Sequence, residues 1–243
     1  MHSLHNHAGI CLTEVMVAMA AGAVILSTTF QAFHLFEVRL TTQQEAISRH
    51  QDQRLGLHVL EEELRLAGSG SSKDVPAIVT IGPREIEFMA NLESLTTVLT
   101  QPVSALQQEL RVLHGSSWNQ GKRVVICSAD HCAESRLALD GRQTSLSLTA
   151  SLGQSFPVGS EVFISNRLRY YVSSASGGKQ NLMRQVDGGA NAIIGDVTQF
   201  QLAYFDRDGK PTSDAGSVSR VRIELAVGND PQGVMTEIGL RGR

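Results

Sequence analysis

The chain has 243 residues, with 21 Lys and Arg against 24 Asp and Glu, giving a formal net charge of −3. That balance excludes the basic footprint of a protein built around nucleic acid or an anionic membrane surface. Beyond an apolar N-terminal stretch there is room for a folded core of about 150 residues, and the three cysteines are few.

The chain opens with a short polar segment. From Val15 to Phe36 no residue is formally charged when His34 is neutral. As an α-helix this stretch is about 33 Å long, enough to cross a bilayer core of about 30 Å. Glu14 stands at its start. An isolated carboxylate at bilayer depth costs about 2.5–3.5 kcal/mol even on lenient scales, so it calls for a partner. A cut between Gly9 and Ile10 creates an α-amino group four residues before Glu14, with a reference pKa of about 7.7–8. Glu14 then lies in the first helical turn, where the positive end of the macrodipole also favours a carboxylate. The amine of the same chain and that of a neighbouring helix are both candidate partners.

A leader ending in Gly9, then Ile10, then Glu14, then an uninterrupted apolar helix resembles the prepilin signal of type IV pilins and type II secretion pseudopilins. The resemblance implies cleavage between Gly9 and Ile10 by a prepilin peptidase, N-methylation of Ile10, and a role for Glu14 in assembly. It also implies a single-pass inner-membrane protein with an extracytoplasmic C-terminal domain, which later enters a pilus or pseudopilus with other minor and major pilins or pseudopilins. Other signals fit less well. Ala21-Gly22-Ala23, the small residues a secretory signal would be cut after, lie inside the apolar run rather than behind it. A lipoprotein signal needs a small residue before Cys11, where Ile10 stands. A plain anchor leaves Glu14 unexplained.

No proline precedes Pro76, so one helix is expected from about Ile10 to Ala67. Glu37 to Arg54 is polar and reads as a solvated stalk. Leu57, Leu60, Leu64 and Ala67 recur at three- and four-residue spacing, one helix face that should dock on a globular domain. Gly68 to Ser72 ends the helix. From Val75 the pattern turns to short strands. They are expected at 78–81, 85–89, 123–127, 161–164, 168–172, 181–185, 200–205, 219–227 and 235–240. Residues 95–113 are ambiguous between strand and helix.

The expected fold is thus α+β: a long N-terminal helix, anchor plus stalk, packed against a mostly antiparallel β-sheet domain, the architecture of pilins. Its parts are a leader 1–9, a membrane and filament-core helix 10–36, an amphipathic continuation 37–67, a linker 68–74 and a β-rich domain 75–243. Leu57 to Gly68, Leu168-Arg169-Tyr170-Tyr171, Leu182-Met183-Arg184, Val197 to Asp206, Val221 to Leu225 and Gly239-Leu240-Arg241 are similar to PilW-type minor pilins and the J-type pseudopilin. Residues 91–159 match neither.

Cys127 and Cys132 enclose Ser128-Ala129-Asp130-His131. They suit a disulfide closing a small loop in an oxidising compartment, with a metal site or two free thiols as alternatives. Asp206, Asp208 and Asp214 loosely echo the start of a calcium loop. Yet Asp208-Gly209 between two strand-like runs is first a hairpin turn. His114 and the single Trp118 suit a surface and a core position. No Ser/His/Asp order, phosphate loop or paired acids stands out, so neither catalysis, a cofactor, a resident metal nor a small-molecule substrate is expected. The functional candidates are a minor pilin that initiates or caps a pilus, the equivalent J-type pseudopilin, and an adhesive or DNA-capturing tip carried by residues 91–159. The low charge argues against the last binding nucleic acid.

Overall fold

The computed structural model describes residues 12–71, 76–174, 179–228 and 233–240. The chain divides into two compact units, Met1–Gln51 and Asp52–Arg243. It is α+β, with one long N-terminal helix and a mostly antiparallel β-sheet domain. Helix α1, Leu12–Arg65, supplies all the described structure of the first unit and continues into the second. No proline interrupts it. Within its apolar part the hydroxyls of Ser27 and Thr29 donate to the carbonyls of Val24 and Ile25, at 2.9 and 2.8 Å. These polar groups are therefore satisfied without water.

In the second unit α1 turns one face to the core. Leu57, Leu60, Leu64 and Ala67 are all buried, as their spacing predicts. Docking begins earlier than expected, since Gln53 is also buried although it falls in the stretch expected to be a solvated stalk. Gly56 allows the close approach. A Cβ there would stand 2.3 Å from Ile194 Cγ1 and 3.1 Å from the Ile193 carbonyl oxygen. The helix stops where Gly68 takes φ +90°, a conformation that glycine adopts without strain. Its N–H then donates to Met89 O at 2.8 Å, joining the helix end to the sheet.

Fourteen strands follow among the described residues. They are β1 Ile78–Gly82, β2 Glu85–Ala90, β3 Thr96–Val98, β4 Glu109–Arg111, β5 Arg123–Cys127, β6 Cys132–Arg136 and β7 Ser145–Ser147. Then come β8 Glu161–Ile164, β9 Asn166–Ser174, β10 Gln180–Val186, β11 Gly189–Ile194, β12 Val197–Phe205, β13 Arg220–Val227 and β14 Val234–Gly239. The main sheet has the order β1-β2-β9-β10-β11, and a second runs β12-β13-β14. The C-terminal part of α1 shares one apolar core with both, through residues such as Leu60, Phe88, Leu168, Phe200 and Ile223.

Strands β2 and β9 are antiparallel neighbours whose last pair is Ala90 with Asn166. Everything between them is therefore an insertion, and it folds on its own core of Leu99, Leu110, Trp118, Val124, Leu146 and Phe156. This lobe contains the sheet β3-β8-β5-β6 and the pair β4-β7. Its neck is buried and polar. Asn166 Oδ1 accepts from Leu92 N at 3.2 Å, Asn91 N donates to Ser69 Oγ at 3.0 Å, and Ser165 Oγ donates to the Gly70 carbonyl.

Residues 95–113 hold β3 and β4 and no helix. Leu99, Val103, Leu106, Leu110 and Leu113 imitate helical spacing, but Leu106 and Leu113 are exposed, and Pro102 cannot donate within a helix. Strands β3, β4, β6, β7 and β11 also lack the alternating apolar pattern that marks longer strands.

A buried carboxylate holds α1 to the main sheet. Glu63 accepts from the Tyr170 hydroxyl and from the Arg184 guanidinium, whose Nε lies 2.9 Å from Oε2 and which also reaches Oε1 through a second nitrogen. Burial, then the Glu63 charge, push the Tyr170 phenol well above its ordinary value, while the Glu63 hydrogen bond raises the Arg184 guanidinium. On the far side Tyr204 of β12 donates to Gly82 O at 2.8 Å, tying the second sheet to the β1–β2 turn.

Removing one partner of a buried ion pair strands the other at a cost of about 3–5 kcal/mol. Arg184→Ala is expected to lower unfolding stability toward that range, reduced because the Arg184 side chain is 25% exposed. Arg111→Ala, whose partner Glu109 is half exposed, should change stability by less than about 1 kcal/mol. Urea unfolding of the two variants checks this; equal, small losses would mean that Glu63 is not a clamp.

Candidate functional site

The residues singled out in the sequence fall in separate places. Gly9 and Ile10 lie outside the described residues, and Glu14 occupies the first turn of α1. The helix behind it is long and apolar enough, over Leu12–Thr41, to cross a membrane. No residue of that span is buried among the described residues. Val17, Phe30 and Phe33 are each more than 60% exposed. An apolar surface of this extent is of the kind that lipid or other helices cover.

Cys127 and Cys132 end β5 and begin β6, form the last pair of that hairpin, and are joined by a disulfide with Cα atoms 4.1 Å apart. His131, inside the loop, packs its ring on Phe156 with centroids 4.8 Å apart. Its Nε2 donates to Ser155 O at 3.2 Å and its Nδ1 lies 3.3 Å from Ser128 Oγ. The histidine thus pins the disulfide loop to the 152–157 segment. Both cysteine sulfurs are committed to each other, so neither is left to bind metal.

Of the three aspartates expected at a turn or calcium loop, Asp206 and Asp214 are engaged with the backbone and Asp208 is exposed. Asp206 Oδ1 accepts from Lys210 N at 2.8 Å, and Gly209 adopts φ +81° in the same turn. Asp214 Oδ1 accepts from Gly216 N at 3.1 Å and caps the short 3₁₀ turn Ala215–Ser217. Among the described residues no group of three or more His, Cys, Asp or Glu side chains comes together as a metal site. Trp118 is buried in the lobe core and His114 is exposed.

An open cleft of about 720 Å³ lies beside the disulfide, bordered by Ser69, Ser128, Gly159, Glu161 and Phe163. Its serines are engaged in the fold: Ser69 Oγ accepts from Asn91 N, and Ser128 Oγ donates to His131 O. Among the described residues the cleft offers no activated nucleophile. Glu63 is the functional-looking residue that the sequence does not single out. It sits on the docking face, three residues after Leu60 and four before Ala67, and a charge inside an apolar stripe is the signal that finds it. Comparison of the chain with family models, curated proteins and solved structures found no match.

Closing a loop of this size with a disulfide stabilises a fold by about 2 kcal/mol. Rapid alkylation of the extracted protein should leave Cys127 and Cys132 unlabelled until reductant is added. The Cys127→Ser, Cys132→Ser double variant should lose about 2 kcal/mol of unfolding stability. Labelling before reduction, or a variant as stable as the parent, contradicts a stabilising crosslink.

Proposed function

We propose that this chain is a minor pilin of a type IV pilus, cut after Gly9 by a prepilin peptidase and methylated at Ile10. In this account it waits in the inner membrane and then joins a filament through the helix of residues 10–36. The observation that carries the proposal is a spacing: Gly9, Ile10 and Glu14 stand directly ahead of a helical span whose apolar side chains the chain itself leaves uncovered. Lipid covers that span before assembly, and the helices of neighbouring subunits cover it afterwards. The crosslink between Cys127 and Cys132 supports an extracytoplasmic domain, because such bonds persist in oxidising compartments.

Assembly moves Glu14 into a low-dielectric helix bundle, where it needs a counter-charge. The Ile10 amine of an adjacent subunit supplies one. A subunit out of axial register leaves both charges unpaired, so the pair sets the stagger between neighbours.

Glu14→Ala is expected to insert in the membrane at least as well as the parent chain and to be cleaved after Gly9. Its co-purification with other pilins should be lost. Stranding the amine costs about 3–5 kcal/mol, a shift of more than about a hundredfold in an assembly equilibrium. A Glu14→Ala chain that assembles like the parent would show that the carboxylate does not set the register.

A further inference from the structure

Four arginines converge where the outer face of the main sheet meets the β5–β6 hairpin of the inserted lobe. Arg167 and Arg169 are alternate, outward-facing residues of β9. Arg123 and Arg136 are direct partners across β5 and β6. They line a cleft of about 350 Å³ together with Glu87, Gln185, Asp187 and Gly188. Like charges placed directly opposite each other in an antiparallel pair repel and destabilise it, so the Arg123–Arg136 pairing calls for a compensating anion.

The chain supplies that compensation unevenly. Arg167 pairs with Glu87, Arg169 with Glu85 at 2.6 Å and Arg123 with Glu134 at 3.2 Å. Arg136 is different. Among the described residues its hydrogen bond goes to a backbone carbonyl, Gly121 O at 3.2 Å, and it has no carboxylate. Asp187 is turned to other partners: its two oxygens accept from Asn166 Nδ2 at 2.8 Å and from Arg167 N at 2.9 Å. The wall of the cleft therefore presents four guanidinium groups, of which Arg136 has no carboxylate partner among the described residues.

We propose that this cleft is a docking site for an acidic segment of a partner protein, with Arg136 and Arg123 taking its carboxylates. Guanidinium forks bind carboxylates through two parallel hydrogen bonds, which gives geometry as well as charge. The two fixed carboxylates in the wall select the class of ligand. A continuous polyanion such as nucleic acid would meet Glu87 and Asp187 along with the arginines. An acidic peptide carries its charges on separate side chains and reaches the arginines between them. The Gln185 amide offers both a donor and an acceptor to the peptide backbone. This site does not depend on the pilin assignment.

The test uses the full chain in detergent micelles and a fluorescein-labelled tetraglutamate peptide at low salt, where surface charge is least screened. Fluorescence anisotropy should show saturable binding of tetraglutamate and none of tetraglutamine. Losing one charged hydrogen-bonding group should weaken binding by about tenfold or more in Arg136→Gln and in Arg123→Gln. Arg111→Gln, on an exposed arginine of the same lobe paired with Glu109, should bind like the parent. Arg136→Lys keeps the charge without the fork and should fall between. Thermal unfolding of each variant separates lost binding from lost fold, and Arg136 is exposed enough for its replacement to be tolerated. Absent binding, equal binding by a folded Arg136→Gln chain, or displacement by orthophosphate or oligothymidylate as effective as by unlabelled tetraglutamate overturns the proposal.

Discussion

The globular unit depends on one buried carboxylate. Glu63 brings a negative charge into the face by which α1 docks, and the fold answers it with a two-nitrogen contact from Arg184 and the Tyr170 hydroxyl. These partners belong to adjacent strands at the centre of the main sheet. The apolar contacts of Leu57, Leu60 and Leu64 are non-directional and tolerate sliding. The Glu63 cluster does not, because any shift of the helix along the sheet leaves an uncompensated charge in the core. Hydrophobic burial supplies the attraction, and the ion pair selects one position.

With the helix end fixed, the rest of the unit follows. Gly68 ties the helix end to β2 through its hydrogen bond to Met89, and Ser69 and Gly70 reach the neck of the inserted lobe. The lobe leaves and rejoins the main sheet at adjacent positions on neighbouring strands, so it enlarges the domain without disturbing the sheet order. It adds its own core and crosslink and sets arginines from two different sheets around one cleft. The same helix that ends in this core begins as an apolar span that none of the described residues covers. One element thus has an internal partner for its last turns and leaves its first turns exposed.

How much was legible in the sequence depends on range. The apolar run, the absence of proline and the Leu57–Leu60–Leu64–Ala67 stripe are local patterns, and they predict the helix and its docking face. Strands with alternating or continuous apolar residues, such as β5, β8 and β13, are equally plain. The lobe is harder to see because several of its strands are three residues long, and in 99–113 a helical spacing of apolar residues arises from one short strand, the isolated bridges of Leu99 and Val103, and exposed loop residues. The place of Glu63 within the apolar stripe hints at burial, but its partner Arg184 comes from a distant strand and leaves no local sign. The arginine cleft is hidden for the same reason, since Arg123 and Arg136 are distant in sequence from Arg167 and Arg169. Contacts that depend on sheet order leave no local trace.

Everything proposed for the N-terminal span depends on a free amine at Ile10, four residues before Glu14. The most direct measurement is the intact mass and terminal peptide of the chain extracted from its native membranes, in cells with an active prepilin peptidase. The account predicts a chain that begins at Ile10 and carries a methyl group on its amine. A chain that still begins at Met1, or one cut behind the apolar span, would contradict it.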